Sequence, residues 1–125
     1  MQAPVAEMLN RVCQPFNVNS LAQAAALAAL GDTDYVEESR VLNATGRAVL
    51  EDGFRRLGLA FVPSHANFVL VKVGDAGRAY QRLLEQGVIV RPVANYALPE
   101  WLRVTVGVEA ENRRLLEALE RALGR

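Results

Sequence analysis

The stretch NFVLVKV at residues 67–73 decides the fold prediction, because a run this rich in β-branched and aromatic residues is typical of a strand. A second stretch, WLRVTV at residues 101–106, alternates apolar and polar side chains with the two-residue period of a half-buried strand. The two stretches therefore predict the centre of a small sheet. One face of the second strand carries Leu102, Val104 and Val106, and the other carries Trp101, Arg103 and Thr105.

The elements around these two strands follow from the same kind of periodicity. Strands are predicted at 59–62 and 88–91, the latter ended by Pro92, with a loop at 94–100 and helices at 75–86 and 109–123. The order of elements from residue 58 onward is therefore β-β-α-β-β-α. Crossovers with the helices on one sheet face predict a small α+β lobe of the α/β class.

The first part of the chain is predicted to be helical. A short helix at 5–13 is followed by a loop and by an alanine-rich helix at 21–30. Ser20 and Gln23 are expected to form a capping box at the start of the second helix, and Gly31 is expected to end it. These elements form a helical arm that precedes the α+β lobe.

One long helix is predicted to begin at Asp32 or Thr33 and to end near Leu57. Gly46 and Gly53 each cost this helix about 1 kcal/mol relative to alanine. The sequence thus divides into three parts. They are an interface arm with the alanine-rich helix (1–31), a long linking helix (32–57) and a small C-terminal α+β domain (58–125).

The composition excludes several classes of protein. Lys and Arg together number 14, Asp and Glu number 14, and the resulting net charge of zero argues against a nucleic-acid partner or a membrane partner. One cysteine and one histidine exclude an internal disulfide, a cysteine cluster and a multi-histidine zinc site. No apolar run reaches the ~20 residues that span a bilayer, and no signal peptide is readable, so we expect a cytoplasmic protein.

Two arginines form the binding site that the residues themselves indicate. Arg91 ends one predicted strand and Arg103 lies inside the next, so both guanidinium groups are expected near one sheet edge. Each guanidinium can bind a carboxylate or phosphate through paired hydrogen bonds, so the pair suits a dianionic ligand. The alternative is that one or both are surface residues or ion-pair partners. Arg103, between Leu102 and Val104, has the greater need of an anion.

Asn17 and Asn19 flank Val18 in the predicted loop before the alanine-rich helix. Their side chains either bond the local backbone, as asparagine commonly does in loops, or contact a ligand or a partner subunit. No catalytic residue and no metal ligand is predicted anywhere in this chain.

Three groups of residues are distinctive in their order and spacing. They are QPFNVNSLAQ at 14–23, PSHANF at 63–68, and VIVRP at 88–92 with LRVTVG at 102–107, Glu111 and Asn112. Together they resemble histidinol-phosphate aminotransferases, which are pyridoxal-phosphate enzymes of histidine biosynthesis with the aspartate-aminotransferase fold. The resemblance runs from about Pro4 to Leu123. It covers only the family's C-terminal part, which comprises the segment after the cofactor lysine, the interdomain helix and the small domain.

The resemblance implies a role for both arginines. Arg103 matches the arginine that binds the substrate α-carboxylate, and Arg91 matches the arginine near the substrate phosphate. The implied reaction converts histidinol phosphate and 2-oxoglutarate to imidazole-acetol phosphate and glutamate, so a phosphorylated amino-acid-like small molecule is the implied ligand. The loop with Asn17 and Asn19, and the helix after it, would lie at the interface of a homodimer.

The chain departs from this family at the cofactor. The family's Schiff-base lysine lies in a Ser-x-x-Lys context before this region, and Lys72, the one lysine here, lies in a predicted strand. The resemblance therefore implies an N-terminal large domain, absent here, that holds pyridoxal 5′-phosphate in the full-length enzyme. We expect this chain alone to be an inactive, excised or truncated C-terminal domain with no bound cofactor.

Other interpretations of the same sequence stay open. An aromatic-amino-acid aminotransferase and a threonine-phosphate decarboxylase share much of the pattern. A third interpretation is a stand-alone regulatory module that binds small anions. A fourth is an interaction protein that self-associates through its helical arm.

Overall fold

The computed structural model describes residues 3–13, 16 and 18–124. It separates into two compact units, Met1–Val36 and Glu37–Arg125. These units are defined by compactness, whereas the three predicted parts (1–31, 32–57 and 58–125) are defined by sequence pattern. The division into three parts stays a prediction.

The described part of the first unit contains α1 (Ala3–Val12), α2 (Ser20–Leu30) and the first turn of a third helix. Neither α1 nor α2 contains a buried residue. The capping box predicted for α2 is wrong. Asn19 is the N-cap instead, and its side-chain oxygen accepts a hydrogen bond of 2.9 Å from the backbone N–H of Ala22. Gln23 donates its side-chain N–H to the carbonyl of Val18, so it does not reach back to a cap residue.

The long helix α3 (Thr33–Arg56) is confirmed, with Asp32 accepting a hydrogen bond of 3.1 Å from the N–H of Tyr35. Gly46 and Gly53, both buried, allow close packing within the second unit. A Cβ at Gly46 would lie 2.7 Å from Cγ1 of Val106, and one at Gly53 would collide with Leu116. Both glycines lower the helix propensity of α3, but their lack of a side chain lets α3 approach its neighbours closely.

The sheet is four-stranded and antiparallel, in the order β1-β2-β4-β3. Its strands are β1 (Phe61–Val62), β2 (Phe68–Lys72), β3 (Arg91–Val93) and β4 (Leu98–Thr105). The sequence thus places β2 and β4 correctly as the two central strands.

Three predictions around β3 are wrong. Residues 88–90 are not a strand, because the N–H of Val88 bonds the carbonyl of Leu83 in the helix before it. Pro92 does not end β3 but lies within it, which an edge strand tolerates because it need not donate from every residue. The predicted loop at 94–100 is a short 3₁₀ turn, Ala94–Tyr96, then Ala97, and β4 begins at Leu98.

Two further helices, α4 (Ala76–Glu85) and α5 (Glu109–Leu123), cover one face of the sheet together with part of α3. This arrangement confirms the predicted α+β lobe with its helices on one face. The opposite face of β2 and β4 is only half-buried. The core between sheet and helices includes Leu50, Phe54, Val69, Val71, Leu83, Leu102, Val104, Leu116 and Leu119.

Within the described residues, none of the helices combines the length and the apolar character that a membrane crossing requires.

Candidate functional site

The candidate site lies on the half-buried face of the sheet, where β3 and β4 pair. Arg91 lies directly opposite Arg103 in this antiparallel ladder. Residues directly opposite each other point to the same face, with Cβ atoms about 4.5–5.5 Å apart. The structure therefore brings together the two arginines that the sequence singled out.

Arg103 is half-buried and has an unusual environment for a cation. Its Nε is buried and has no hydrogen-bond partner. Its guanidinium carbon lies 5.3 Å from the centre of the Phe68 ring. Within residues 3–13, 16 and 18–124, neither Arg103 nor Arg91 forms an ion pair or a side-chain hydrogen bond.

This pairing is electrostatically unfavourable in the absence of an anion. Like charges directly opposite each other in a sheet destabilise it, and a half-buried guanidinium without a partner adds a desolvation cost. The carboxylate of Glu100 on β4 is already engaged, since its Oε2 lies 3.1 Å from Nζ of Lys72 on β2. An anionic ligand with two acidic groups, or one phosphate, would relieve the repulsion.

The backbone on either side of this site is held by polar side chains that the sequence did not single out. Asn43 and Arg47 of α3 both donate to the carbonyl of Ala66, at 3.3 and 3.2 Å, just before β2 begins. After β4, the buried side chain of Asn112 accepts from the N–H of Gly107 and donates to its carbonyl. These contacts fix the ends of the two central strands.

Asn43 and Arg47 had no place among the predicted site residues, whereas Phe68 and Asn112 each belonged to a larger pattern. Phe68 belonged to the β-rich run, and Asn112 belonged to one of the distinctive groups of residues. The signal that could have pointed to Asn112 is its position three residues before Leu115, on the apolar face of the helix, since a polar side chain there needs hydrogen-bond partners.

The two loop asparagines belong to the first unit, and the two arginines belong to the second. Asn17 lies outside the described residues, and Asn19 is exposed with its side-chain oxygen on the N–H of Ala22. This contact is the local-backbone alternative for Asn19. A role of either residue at an interface stays a prediction.

The residues of this chain do not fit the covalent attachment of pyridoxal phosphate. Lys72, the single lysine, is in β2 and paired with Glu100. A Schiff base requires a free amine at the cofactor. Among the described residues, no group of three or more metal-ligating side chains is found either.

Known proteins similar to this chain identify its family. Residues 1–119 match the family described as aminotransferase class I and II. The chain belongs to this family. The match includes the long helix, the whole sheet and most of α5. The aminotransferase relatives are also much longer than this chain.

Histidinol-phosphate aminotransferase 2 of Pseudomonas fluorescens is 60% identical over 122 residues, which make up 97% of this chain and 33% of that protein. The histidinol-phosphate aminotransferase of Sinorhizobium meliloti, solved in complex with pyridoxal-5′-phosphate, has a TM-score of 0.77 and 31% identity. It matches over 97% of this chain and 34% of its own. The enzyme of that name from Clostridium acetobutylicum has a TM-score of 0.79 and 26% identity, over 97% of this chain and 38% of its own.

The aminotransferase chain thus spans about one third of the length of the relatives it matches. The matched region is the C-terminal part of the histidinol-phosphate aminotransferases.

Proposed function

We propose that this chain is the substrate-binding C-terminal part of a pyridoxal-phosphate-dependent histidinol-phosphate aminotransferase. In that role Arg103 and Arg91 bind the anionic groups of histidinol phosphate, 2-oxoglutarate and glutamate. The observation that carries the proposal is the direct cross-strand pairing of two arginines without an acidic partner in the described chain.

The chemistry of these substrates fits two adjacent guanidinium groups. Histidinol phosphate carries a phosphate, and glutamate and 2-oxoglutarate each carry two carboxylates. A guanidinium has its N–H donors in one plane and can bind either group through paired hydrogen bonds. Arg103 and Arg91 together orient the substrate, and orientation of a bound reactant is a large part of rate acceleration.

The remaining parts of the enzyme are proposed to come from outside this chain. An N-terminal large domain would supply the lysine and hold the cofactor, and a second subunit would complete a homodimer. Two observations support this: the relatives are about three times as long, and α1 and α2 expose every large apolar side chain they contain. By itself the chain is proposed to be inactive.

Anion binding by the chain can be measured directly by NMR titration with inorganic phosphate. We expect resonances of β3 and β4 to shift, and both Arg103→Gln and Arg91→Gln to weaken phosphate binding roughly tenfold, since each removes charge-assisted hydrogen bonds. Arg78→Gln is the matched control, because Arg78 is an exposed arginine on α4 whose side chain bonds none of the described residues. Equal binding by all four proteins would contradict the proposed site.

The cofactor part is tested by mixing the chain with pyridoxal phosphate, histidinol phosphate and 2-oxoglutarate. We expect no transamination, and no pyridoxyl group at Lys72 after borohydride reduction. Turnover at catalytic rates would overturn the proposed inactivity.

The substrate is tested in a hybrid enzyme in which this chain replaces the matching third of the Pseudomonas fluorescens relative. We expect histidinol phosphate to be the preferred amino donor, with loss of activity in Arg103→Gln. Preference for an aromatic amino acid, or decarboxylation of threonine phosphate, would favour the corresponding relative instead. A hybrid that folds, binds cofactor and acts on none of them would favour a regulatory anion-binding module.

A further inference from the structure

We propose that Phe68 is a positioning residue that holds the guanidinium of Arg103 with its N–H edge free for an anion. This inference rests on the proposed function, because it assigns a role within the same binding site. In this role Phe68 contacts no substrate itself. It orients the side chain of Arg103, which binds the substrate.

The register of the sheet places the aromatic ring beside the arginine. In the β2–β4 ladder Leu70 lies opposite Arg103, and Phe68 lies opposite Thr105. Phe68 is therefore a diagonal neighbour of Arg103 on the same face, a distance that aromatic and long side chains can bridge. The observed 5.3 Å between guanidinium carbon and ring centre lies within the range of a cation–π contact.

No hydrogen bond or ion pair with a described residue holds this guanidinium. Its Nε is buried without a partner, and the side chain forms no ion pair with a described residue. A free arginine side chain has large rotamer entropy, which an anion would have to remove on binding. The ring contact limits that freedom before the ligand arrives.

An aromatic ring suits this task better than a carboxylate would. The ring accepts no conventional hydrogen bond, and none of the five N–H donors of Arg103 has a partner among the described residues. The donors other than the buried Nε–H therefore stay without a partner until a ligand binds, whereas an acidic side chain would occupy them. The negative ring face also offsets part of the repulsion from Arg91 directly opposite.

The backbone before the ring is fixed as well. Asn43 and Arg47 both donate to the carbonyl of Ala66, and the carbonyl of Asn67 accepts a hydrogen bond of 2.8 Å from the N–H of Val106. These bonds tie the start of β2 to α3 and to the end of β4. The ring is therefore placed by fixed backbone on the same two strands that carry the site.

A second arginine–phenylalanine contact in the chain provides a comparison. The guanidinium of Arg55 lies 5.1 Å from the centre of the Phe61 ring, but Arg55 also pairs with Asp52 and Glu51. That arginine has its donors engaged by acids on its own helix. Only at Arg103 does a ring contact leave the donors without a partner in the described chain.

The test uses the whole chain and two measurements. The first is phosphate affinity by NMR titration, and the second is the order of the Arg103 Nε–H group by ¹⁵N relaxation in the absence of phosphate. We expect Phe68→Leu to weaken phosphate binding roughly three- to thirtyfold and to lower the order of that group. Phe68→Tyr keeps an aromatic face, so binding should stay within about twofold of the parent by the same cation–π argument.

Phe61→Leu is the matched control, since it removes the other arginine–phenylalanine contact and should leave phosphate affinity unchanged. If Phe68→Leu does not fold, Phe68→Met replaces it, because methionine fills irregular space without an aromatic face. Unchanged affinity and unchanged Arg103 order in the folded variant would overturn the proposal, as would equal losses in the leucine and tyrosine variants.

The two proposals fail in different ways. If the parent chain does not bind phosphate and Arg103→Gln changes nothing, the proposed function is wrong. The relaxation measurement then still decides whether Phe68 orders Arg103. If Arg103→Gln abolishes binding and Phe68→Leu does not weaken it, only the positioning role is wrong.

Discussion

The two units of this chain have similar apolar residues but very different burial. In Met1–Val36, Leu21, Leu27 and Leu30 are each at least 74% exposed, whereas Leu50 and Phe54 of the second unit are completely buried. The second unit has a sheet against which helices can pack, and the described part of the first has only helices. The difference teaches that an apolar helix without a second layer stays unburied whatever its composition.

The alanine-rich helix α2 makes this contrast clearest. All of its residues are exposed, although almost all of them are apolar. A helix that is apolar all round is normally buried in a larger protein. Its exposure therefore agrees with the proposal that further protein covers it.

The largest expected effect is on the free energy of unfolding, and it compares a buried phenylalanine with an exposed one. Phe54→Ala should lower the free energy of unfolding by about 3–5 kcal/mol, because it removes a large side chain from a packed core. Phe16→Ala is the matched change at a side chain that is 91% exposed, and it should have almost no effect. Urea denaturation followed by circular dichroism measures both, and comparable losses would remove the distinction between the two units.

The next effect compares two glycines. Gly53→Ala should destabilise the second unit by about 1–3 kcal/mol, because the new methyl group would overlap Leu116 in a packed core. Gly31→Ala has room, since its Cβ would lie 3.5 Å from the Ala28 carbonyl and its φ of −85° suits any residue. We expect Gly31→Ala to raise helix content slightly. A stable Gly53→Ala protein would show that α3 and α5 can separate without cost.

A smaller effect compares two alanines. Ala97 has a positive φ of 60° in the turn before β4, a conformation that costs a residue with a Cβ. Ala97→Gly should therefore stabilise the second unit by roughly 0.5–1 kcal/mol. Ala25→Gly, in the middle of α2, should instead lower helix content, because glycine is a poor helix former. Thermal unfolding and far-ultraviolet circular dichroism report the two results, and a destabilised Ala97→Gly protein would contradict the first.

The smallest effect lies at the start of the second unit. A hydrogen bond from Arg40 holds the pKa of Glu37 below its ordinary value. The pair therefore contributes above the unfolded pKa, and its contribution is lost as the pH falls through the folded pKa. Arg40→Gln should raise the pKa of Glu37 in an NMR titration without a detectable change in unfolding, because both groups are exposed. An unmoved titration would show that the pair does not persist in solution.

Much of the fold could be predicted because the alternation of apolar and polar residues along a strand reflects which side chains face the core. The strict alternation at 101–106 places Leu102 and Val104 in the core and leaves Arg103 on the opposite face. The errors fall where backbone hydrogen bonding decides the outcome. Val88 to Val90 have strand-like side chains, but the N–H of Val88 bonds the end of α4.

The candidate site was likewise predictable only in part. Arg91 and Arg103 could be found from the sequence, because a charged side chain in a half-buried strand requires an anionic partner. Their exact opposition, the ring of Phe68 and the contacts of Asn112 could not be found, since register and side-chain proximity depend on how the strands pair.

The amino-acid sequence by itself determined the helices, the two central strands, the family resemblance and the identity of the paired arginines. These depend on local periodicity and on residue type, which a linear sequence contains directly. Only the tertiary structure decided that Gly46 and Gly53 admit close neighbours and that two like charges lie opposite each other. The physical reason is that burial, register and unsatisfied polar atoms are properties of pairs of segments distant in the chain, and they exist only after the chain has folded.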